Sequence, residues 1–308
     1  MKLEFRIPIS PKPAFYAQVR LIAQSLASLG SAYAQARIQV SVGDRASLAE
    51  VHAHNAWAQA FPVDWYVVPD ELHARMTAPE WASGHGRYAC PSDADIVVLC
   101  DADTCPVAPF DDLLTLLHGA PPAVAGLQAH SPPFANNEET WLGLLRAIDR
   151  PGLPLDRRYS IDVDGRQLAS PAYFNYGFVA FNAAAFTAVS ARIDECLDLA
   201  CRMLPRNRFA AQVALTLAMA ETGVDVVELG HEYNCANDDR LLAHAWVQPE
   251  DVRVIHYLRG DDLARHEFLC NRALFDAFVG APRQNAINER LRIHLLTLPD
   301  ACGAEALA

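Results

Sequence analysis

DADIVVLCDADTCPV, residues 93–107, decides how this chain is read. Four apolar residues, Ile96, Val97, Val98 and Leu99, run into two carboxylates, Asp101 and Asp103, one residue apart. A short unbroken apolar run between polar residues is the pattern of a strand buried on both faces. Side chains at i and i+2 of an extended segment project to the same side. Asp101 and Asp103 can therefore converge on one cation, which would relieve their mutual repulsion. A hard divalent cation takes carboxylate oxygens and keeps positions open for phosphate oxygens. The competing reading is a solvated turn, because Asp is common after strands.

Outward from this stretch, strand and helix patterns alternate. Residues 4–10 (EFRIPIS), 36–44 (ARIQVSVGD) and 63–70 (VDWYVVPD) read as three earlier strands. The segment 16–30 between the first two has apolar residues at helical spacing and a closing Gly30. Alternation of this kind predicts an α/β fold with a mostly parallel, Rossmann-like central sheet and flanking helices. In such sheets the ligand lies at the carboxyl ends of the strands. Asp44, Asp70, Asp101 and Asp103 fall at that edge. Further on, residues 123–129, 172–182, 224–230 and 252–258 read as strands, and 183–204 as one amphipathic helix. Residues 208–223 read as a helix closed by Gly223, and about 130–170 as an irregular region suited to binding an acceptor. No repeat or low-complexity segment interrupts the pattern.

Composition narrows the function. The chain has 308 residues, 52% apolar and 20% charged, with a formal net charge of −12. It is globular, and its acidic balance argues against a nucleic-acid partner. No apolar run reaches the ~18 residues of a membrane span. The opening MKLEFRIPISPKP lacks the apolar core of a secretory leader. The eight cysteines show no C-x-x-C pair or zinc spacing, so they are expected to be reduced and mostly buried. These features predict a cytoplasmic location, including attachment at the inner face of a membrane.

Haloacid-dehalogenase-type phosphatases also place Asp-x-Asp after an apolar strand, with the first Asp as nucleophile. Their pattern is D-x-D-x-T near the chain start. Here Cys105 stands where that family has Thr, and about a hundred residues precede the pair. Both points disfavour the phosphatase. The ordered segments HGRYACPSDA, IVVLCDADT, YFNYGFVAFN, RFAAQVALTLA, ELGHEYNCAND and VRVIHYL instead resemble the nucleotide-diphosphosugar glycosyltransferases of the GT-A fold. The resemblance is to glycosyltransferase family 8, the glycogenin-like and lipopolysaccharide galactosyltransferase-like group. It covers about residues 1–260, with a nucleotide-binding half to about 120 and a sugar and acceptor half beyond. Residues 261–308 are then a helical tail.

The resemblance implies roles residue by residue. Asp101, Asp103 and His256 would bind manganese or magnesium; without the family pattern, a His at a strand end is more often simply packed. Pro8, Ser10, Phe15 (or the adjacent Tyr16), Asp44, Arg87 and Ala102 would contact the nucleotide part of the donor. Asn175, Gly177 and Gln212 would line the donor sugar, with Gln212 and Asn175 closest to the chemistry. Two departures stand out. Ala211 replaces the Asp that usually precedes the family glutamine. The family's Lys-Pro-Trp run after the late His is missing, so Arg259 or Arg265 is expected to hold the diphosphate, as a bidentate guanidinium can. A second Asp-x-Asp, Asp162 and Asp164, reads more simply as a turn.

The expected activity is metal-dependent transfer of a sugar from a nucleotide-diphosphate sugar, a UDP-sugar, to a glycan, lipid-linked or protein acceptor. Retention of anomeric configuration is implied by the family. Two alternatives stay open. A sugar-nucleotide transferase or hydrolase of the same fold would need a Gly-rich basic loop after the first strand, and PISPKPAF has no glycine. A silent sugar-nucleotide-binding protein is hinted at by Ala211.

Overall fold

A computed structural model of the chain describes residues 1–43, 46–75, 82–161, 165, 167–204, 209–260, 263–299 and 301–302. The strands are Leu3–Ile9 (β1), Arg37–Val42 (β2), Val63–Val67 (β3), Ile96–Leu99 (β4), Thr104–Pro106 (β5) and Ala123–Gln128 (β6). Arg157–Arg158 (β7), Ala169–Ser170 (β8), Phe174–Asn182 (β9), Asp225–Glu228 (β10), Cys235–Ala236 (β11) and Val254–His256 (β12) follow. Among the described residues a seven-stranded sheet runs β10-β6-β9-β4-β1-β2-β3. β9 is antiparallel to both its neighbours, and the other pairings are parallel. The expected mostly parallel α/β sheet is present.

Period-two alternation separates the two faces. Phe5, Ile7, Ile96 and Val98 join one core with the helix Pro13–Ser28, while Val97, Leu99, Val179 and Phe181 join the other with the helix Ala210–Thr222. The central strands β1, β4, β6 and β9 have almost no solvent face, which is why those runs are largely apolar, whereas the edge strands β3 and β10 are half-exposed. β1 breaks that rule with Glu4 and Arg6, both fully buried. They pair with each other at 2.5 Å, and Arg6 also donates to the carbonyls of Arg87 and Cys90 at 2.6 and 2.7 Å. The buried cation so fastens the loop that leads into β4.

A third core joins β5, β11 and β12 to the helices Arg272–Val279 and Ala286–Thr297. The three strands form their own sheet, β11-β12-β5. The carbonyl of Asp103 accepts from Tyr257 N–H at 3.0 Å, and β12 pairs with β5 through His256 and Thr104. His256 thus lies beside the acidic pair although 153 residues separate it from Asp103.

Three local expectations are corrected. Asp101 and Asp103 do not continue the strand: β4 ends at Leu99, and a turn through Ala102 and Asp103 leads into β5. The region 183–204 is two helices, Ala183–Ser190 and Ile193–Met203. The region expected to be irregular contains the helix Asn137–Ala147. No described helix is long and apolar enough to cross a membrane. All eight cysteines are free, five of them buried.

Candidate active site

The carboxyl end of β4 carries the site. Ligand-capable atoms of Asp101, Asp103 and His256 all lie within 4.8 Å of one another. His256 Nε2 is 3.2 Å from Asp103 Oδ1 and 3.9 Å from Asp101 Oδ2. Burial alone would push the Asp103 carboxyl up, but His256 and Arg265 outweigh it and hold it at about 2. Burial alone would lower His256, and the facing carboxylates outweigh that and raise it. Two carboxylate oxygens and one imidazole nitrogen, spaced this closely, suit a divalent cation.

Which nitrogen of His256 faces that position follows from a chain of amides. Gly177 N–H donates to Asn175 Oδ1 at 2.8 Å, which assigns that atom as oxygen. Asn234 Nδ2 donates to the same oxygen at 3.1 Å. Asn234 therefore presents Oδ1 to His256 Nδ1, 3.0 Å away, and Nδ1 must carry the proton. Nε2 is left to face Asp103, to which it donates when protonated, and on losing that proton it would be the ligating atom. Gly177 makes this possible. A Cβ there would stand 2.2 Å from His256 Nδ1 and 2.4 Å from Asn234 Oδ1.

Arg87 approaches from beneath, its Nη2 2.5 Å from Asp101 Oδ1 and its Cζ 4.7 Å from the centre of the Tyr176 ring. It is 2% exposed, and its Nε and Nη1 are buried with no hydrogen-bond partner. Arg265 Nη2 lies 3.4 Å from Asp103 Oδ2, and its Nη1 donates to the Leu258 carbonyl. Arg259 points elsewhere. It binds Asp238 through Nε at 3.0 Å and Nη2 at 2.8 Å, beside a separate polar pocket.

A pocket of about 340 Å³ joins these groups to the start of the chain. Pro8, Phe15, Asp101, Ala102, His256 and Arg265 are among its walls. Of the two adjacent rings, Phe15 faces this pocket, while Tyr16 is buried against Trp65 at 5.9 Å. Ser10 is half-buried, and its carbonyl accepts from Lys12 N–H. Gln212 is half-buried on the helix Ala210–Thr222 and donates through Nε2 to the Phe174 carbonyl at 3.0 Å, next to Asn175. Ala211 gives its carbonyl to Tyr176 OH at 2.7 Å. Asp44, Asp162 and Asp164 lie outside the described residues. Sequence reasoning assigned no role to Asn234, Tyr176, Gln18 or His266. Asn234 does stand inside one of the motif segments.

The sheet order, the reversed β9 and the acidic turn at the end of β4 define the fold of the GT-A glycosyltransferases. Among solved structures, that of galactosyltransferase LgtC in complex with donor and acceptor sugar analogues aligns at TM-score 0.51 and 16% identity, over 96% of each chain. That of mouse xyloside xylosyltransferase 1, apo form, aligns at TM-score 0.50 and 14% identity, over 83% of this chain and 97% of that one. No protein-family model and no curated protein sequence matches the chain.

Proposed function

We propose that this protein is a divalent-metal-dependent glycosyltransferase of the family 8 type, which moves a sugar from a UDP-sugar to an acceptor hydroxyl. One observation carries the reading. Asp101, Asp103 and His256 converge at the wall of a pocket that is also lined by Pro8 of β1 and Phe15 of the helix Pro13–Ser28. That arrangement seats a diphosphate between a metal and a base-binding surface. Phe15 offers its ring to the base. A bound cation would neutralise charge on the departing diphosphate. Arg265 supplies a second positive charge at the same carboxylate and is the better placed of the two arginines for the diphosphate.

The donor sugar is assigned to the space between Arg87, Asn175 and Gln212. Arg87 would hold Asp101 in place beside that space through Nη2. Gln212 spends Nε2 on Phe174, which leaves Oε1 for positive charge developing at the anomeric carbon. An amide cannot deprotonate an acceptor, and Ala211 removes the family's neighbouring carboxylate. We infer retention by a front-face route, in which the leaving phosphate takes the acceptor proton. The free cysteines and the acidic surface support a cytoplasmic site of action, at or near a membrane's inner face.

Calorimetry with UDP and manganese tests the reading. Wild type should bind UDP only with the metal, and Asp101→Asn, whose side-chain carbonyl can still accept from Arg87, should lose that binding while melting near the wild-type temperature. Equal UDP–manganese affinity in both proteins refutes the metal role. Binding without UDP release in the presence of any acceptor points to the silent binder. An inverted first product by proton NMR refutes retention.

A further inference from the structure

The wall of the pocket beside Asp103 holds a histidine that stands outside the Asp101–Asp103–His256 cluster. His266 is exposed and lines the pocket together with Arg265, Phe15 and Gln18. Its place is fixed from both sides. Before it, Gln18, 1% exposed on the helix Pro13–Ser28, donates through Nε2 to the Arg265 carbonyl at 3.2 Å. After it, Phe268 is buried edge to face against Tyr257, with ring centres 5.7 Å apart, and its N–H bonds the Ala264 carbonyl at 2.8 Å. The backbone that carries His266 is therefore anchored to the first helix and to the third core.

Arg265 sets which ring nitrogen is available. Its Nε–H donates to His266 Nε2 at 3.1 Å, so Nε2 is the acceptor and Nδ1 carries the proton. The rest of the guanidinium is engaged as well. Nη1 donates to the Leu258 carbonyl, and Nη2 lies 3.4 Å from Asp103 Oδ2. One planar guanidinium is thus all that separates the imidazole from the Asp103 carboxylate. Nδ1–H has no partner among the described residues. Asp101 and Asp103 would repel an anion that arrived alone, but not one carried by a divalent cation. The ligand atom that suits this N–H is an oxygen brought in with the metal.

We propose that His266 binds an oxygen of the metal-bound diphosphate through Nδ1–H, as the partner of Arg265. This rests on the reading of the pocket as the seat of a metal-bound diphosphate. The two side chains divide the task. Arg265, tied at all three nitrogens, supplies a fixed positive charge. His266 supplies a directed donor, and a hydrogen bond to a diphosphate oxygen strengthens as that group takes up charge on leaving.

Calorimetry of the full chain with manganese alone, with inorganic pyrophosphate and manganese, and with UDP and manganese tests the assignment. Pyrophosphate has no ribose or base, so it isolates the diphosphate contact. His266→Ala should weaken pyrophosphate and UDP by the same factor, about tenfold, and leave the affinity for manganese alone unchanged. His266→Asn, whose amide nitrogen stands as far along the side chain as Nδ1, should recover most of the loss. Undiminished pyrophosphate affinity in His266→Ala, a loss with UDP but not with pyrophosphate, or a weakened affinity for manganese alone would each overturn the assignment. A wild type that binds pyrophosphate–manganese, and less well as His266→Ala, but does not bind UDP–manganese would sink the UDP-sugar reading and leave the assignment standing. A wild type that binds neither overturns both.

Discussion

Asn234 sets the direction of His256 without touching the carboxylates. Its Oδ1 takes the Nδ1 proton, and its own orientation is inherited from Asn175 and the Gly177 N–H. Outer partners of this kind are worth about 10–100-fold in metal affinity. Asn234→Ala should therefore weaken manganese binding by about that factor in calorimetry, while leaving Asp101, Asp103 and His256 in place. An unchanged manganese affinity would remove Asn234 from the site. Asp101 and Asp103 could be read from the sequence because two carboxylates one residue apart after an apolar run suit a cation, and His256 was pointed to only by the resemblance of its segment to a family motif. Asn234 could not, because its task is defined by a ring 22 residues away. The choice between Arg259 and Arg265 was equally hidden: both follow His256 closely, and only the course of the loop turns one to Asp238 and the other to Asp103.

Among elements, β9 does most to assemble the site. It lies between β6 and β4 and brings Asn175 and Gly177 to the acidic turn. Its seat against β6 depends on Gly126, where a Cβ would come within 2.6 Å of the Phe174 ring. Overpacking of this kind costs about 1–3 kcal/mol. Gly126→Ala should lower the denaturant midpoint accordingly, and it should also disturb Gln212, which bonds the Phe174 carbonyl. A midpoint equal to wild type would show that Phe174 moves freely. At the break between Ala183–Ser190 and Ile193–Met203, Ala191 and Arg192 keep right-handed dihedrals while Arg192 N–H bonds the Val189 carbonyl at 3.0 Å, and the Arg192 side chain reaches Glu221 on the neighbouring helix Ala210–Thr222 at 2.9 Å. The apolar spacing runs through the break, so periodicity alone reads one helix.

Across the whole molecule, buried histidines set the response to acid. Burial lowers His130 to about 3, His294 to about 4, and His231 by a smaller amount. These rings are neutral in the fold, whereas the unfolded chain takes up their protons below about 6.5. Their contribution is complete above that pH and is lost as pH falls from 6.5 towards 4. His256 acts oppositely: its raised value stabilises the fold at low pH, and that contribution is lost as pH rises through it. Between pH 7 and 5 the loss from His130, His294 and His231 opposes the gain from His256. The melting temperature should drop between pH 7 and 5, and less steeply in His294→Gln, whose amide can still donate to Ser25 as His294 does. A flat profile over that range would contradict the neutral burial of these rings.

The sequence by itself determined the layers. Unbroken apolar runs can only be strands covered on both faces, and apolar residues at helical spacing can only cover them. It also determined the acidic pair after an apolar run, because a strand's end is local; the role of His256 came from the resemblance of its segment to a family motif. The approach of His256 to Asp103, the tautomer of its ring and the turn that makes the carboxylates converge were decided in three dimensions. So was the approach of Arg265, with His266 beside it, to Asp103. Each depends on side chains brought together by sheet order and by strand pairing such as β12 on β5. Pairing partners are chosen by the burial of whole faces, a property that no single stretch of residues contains.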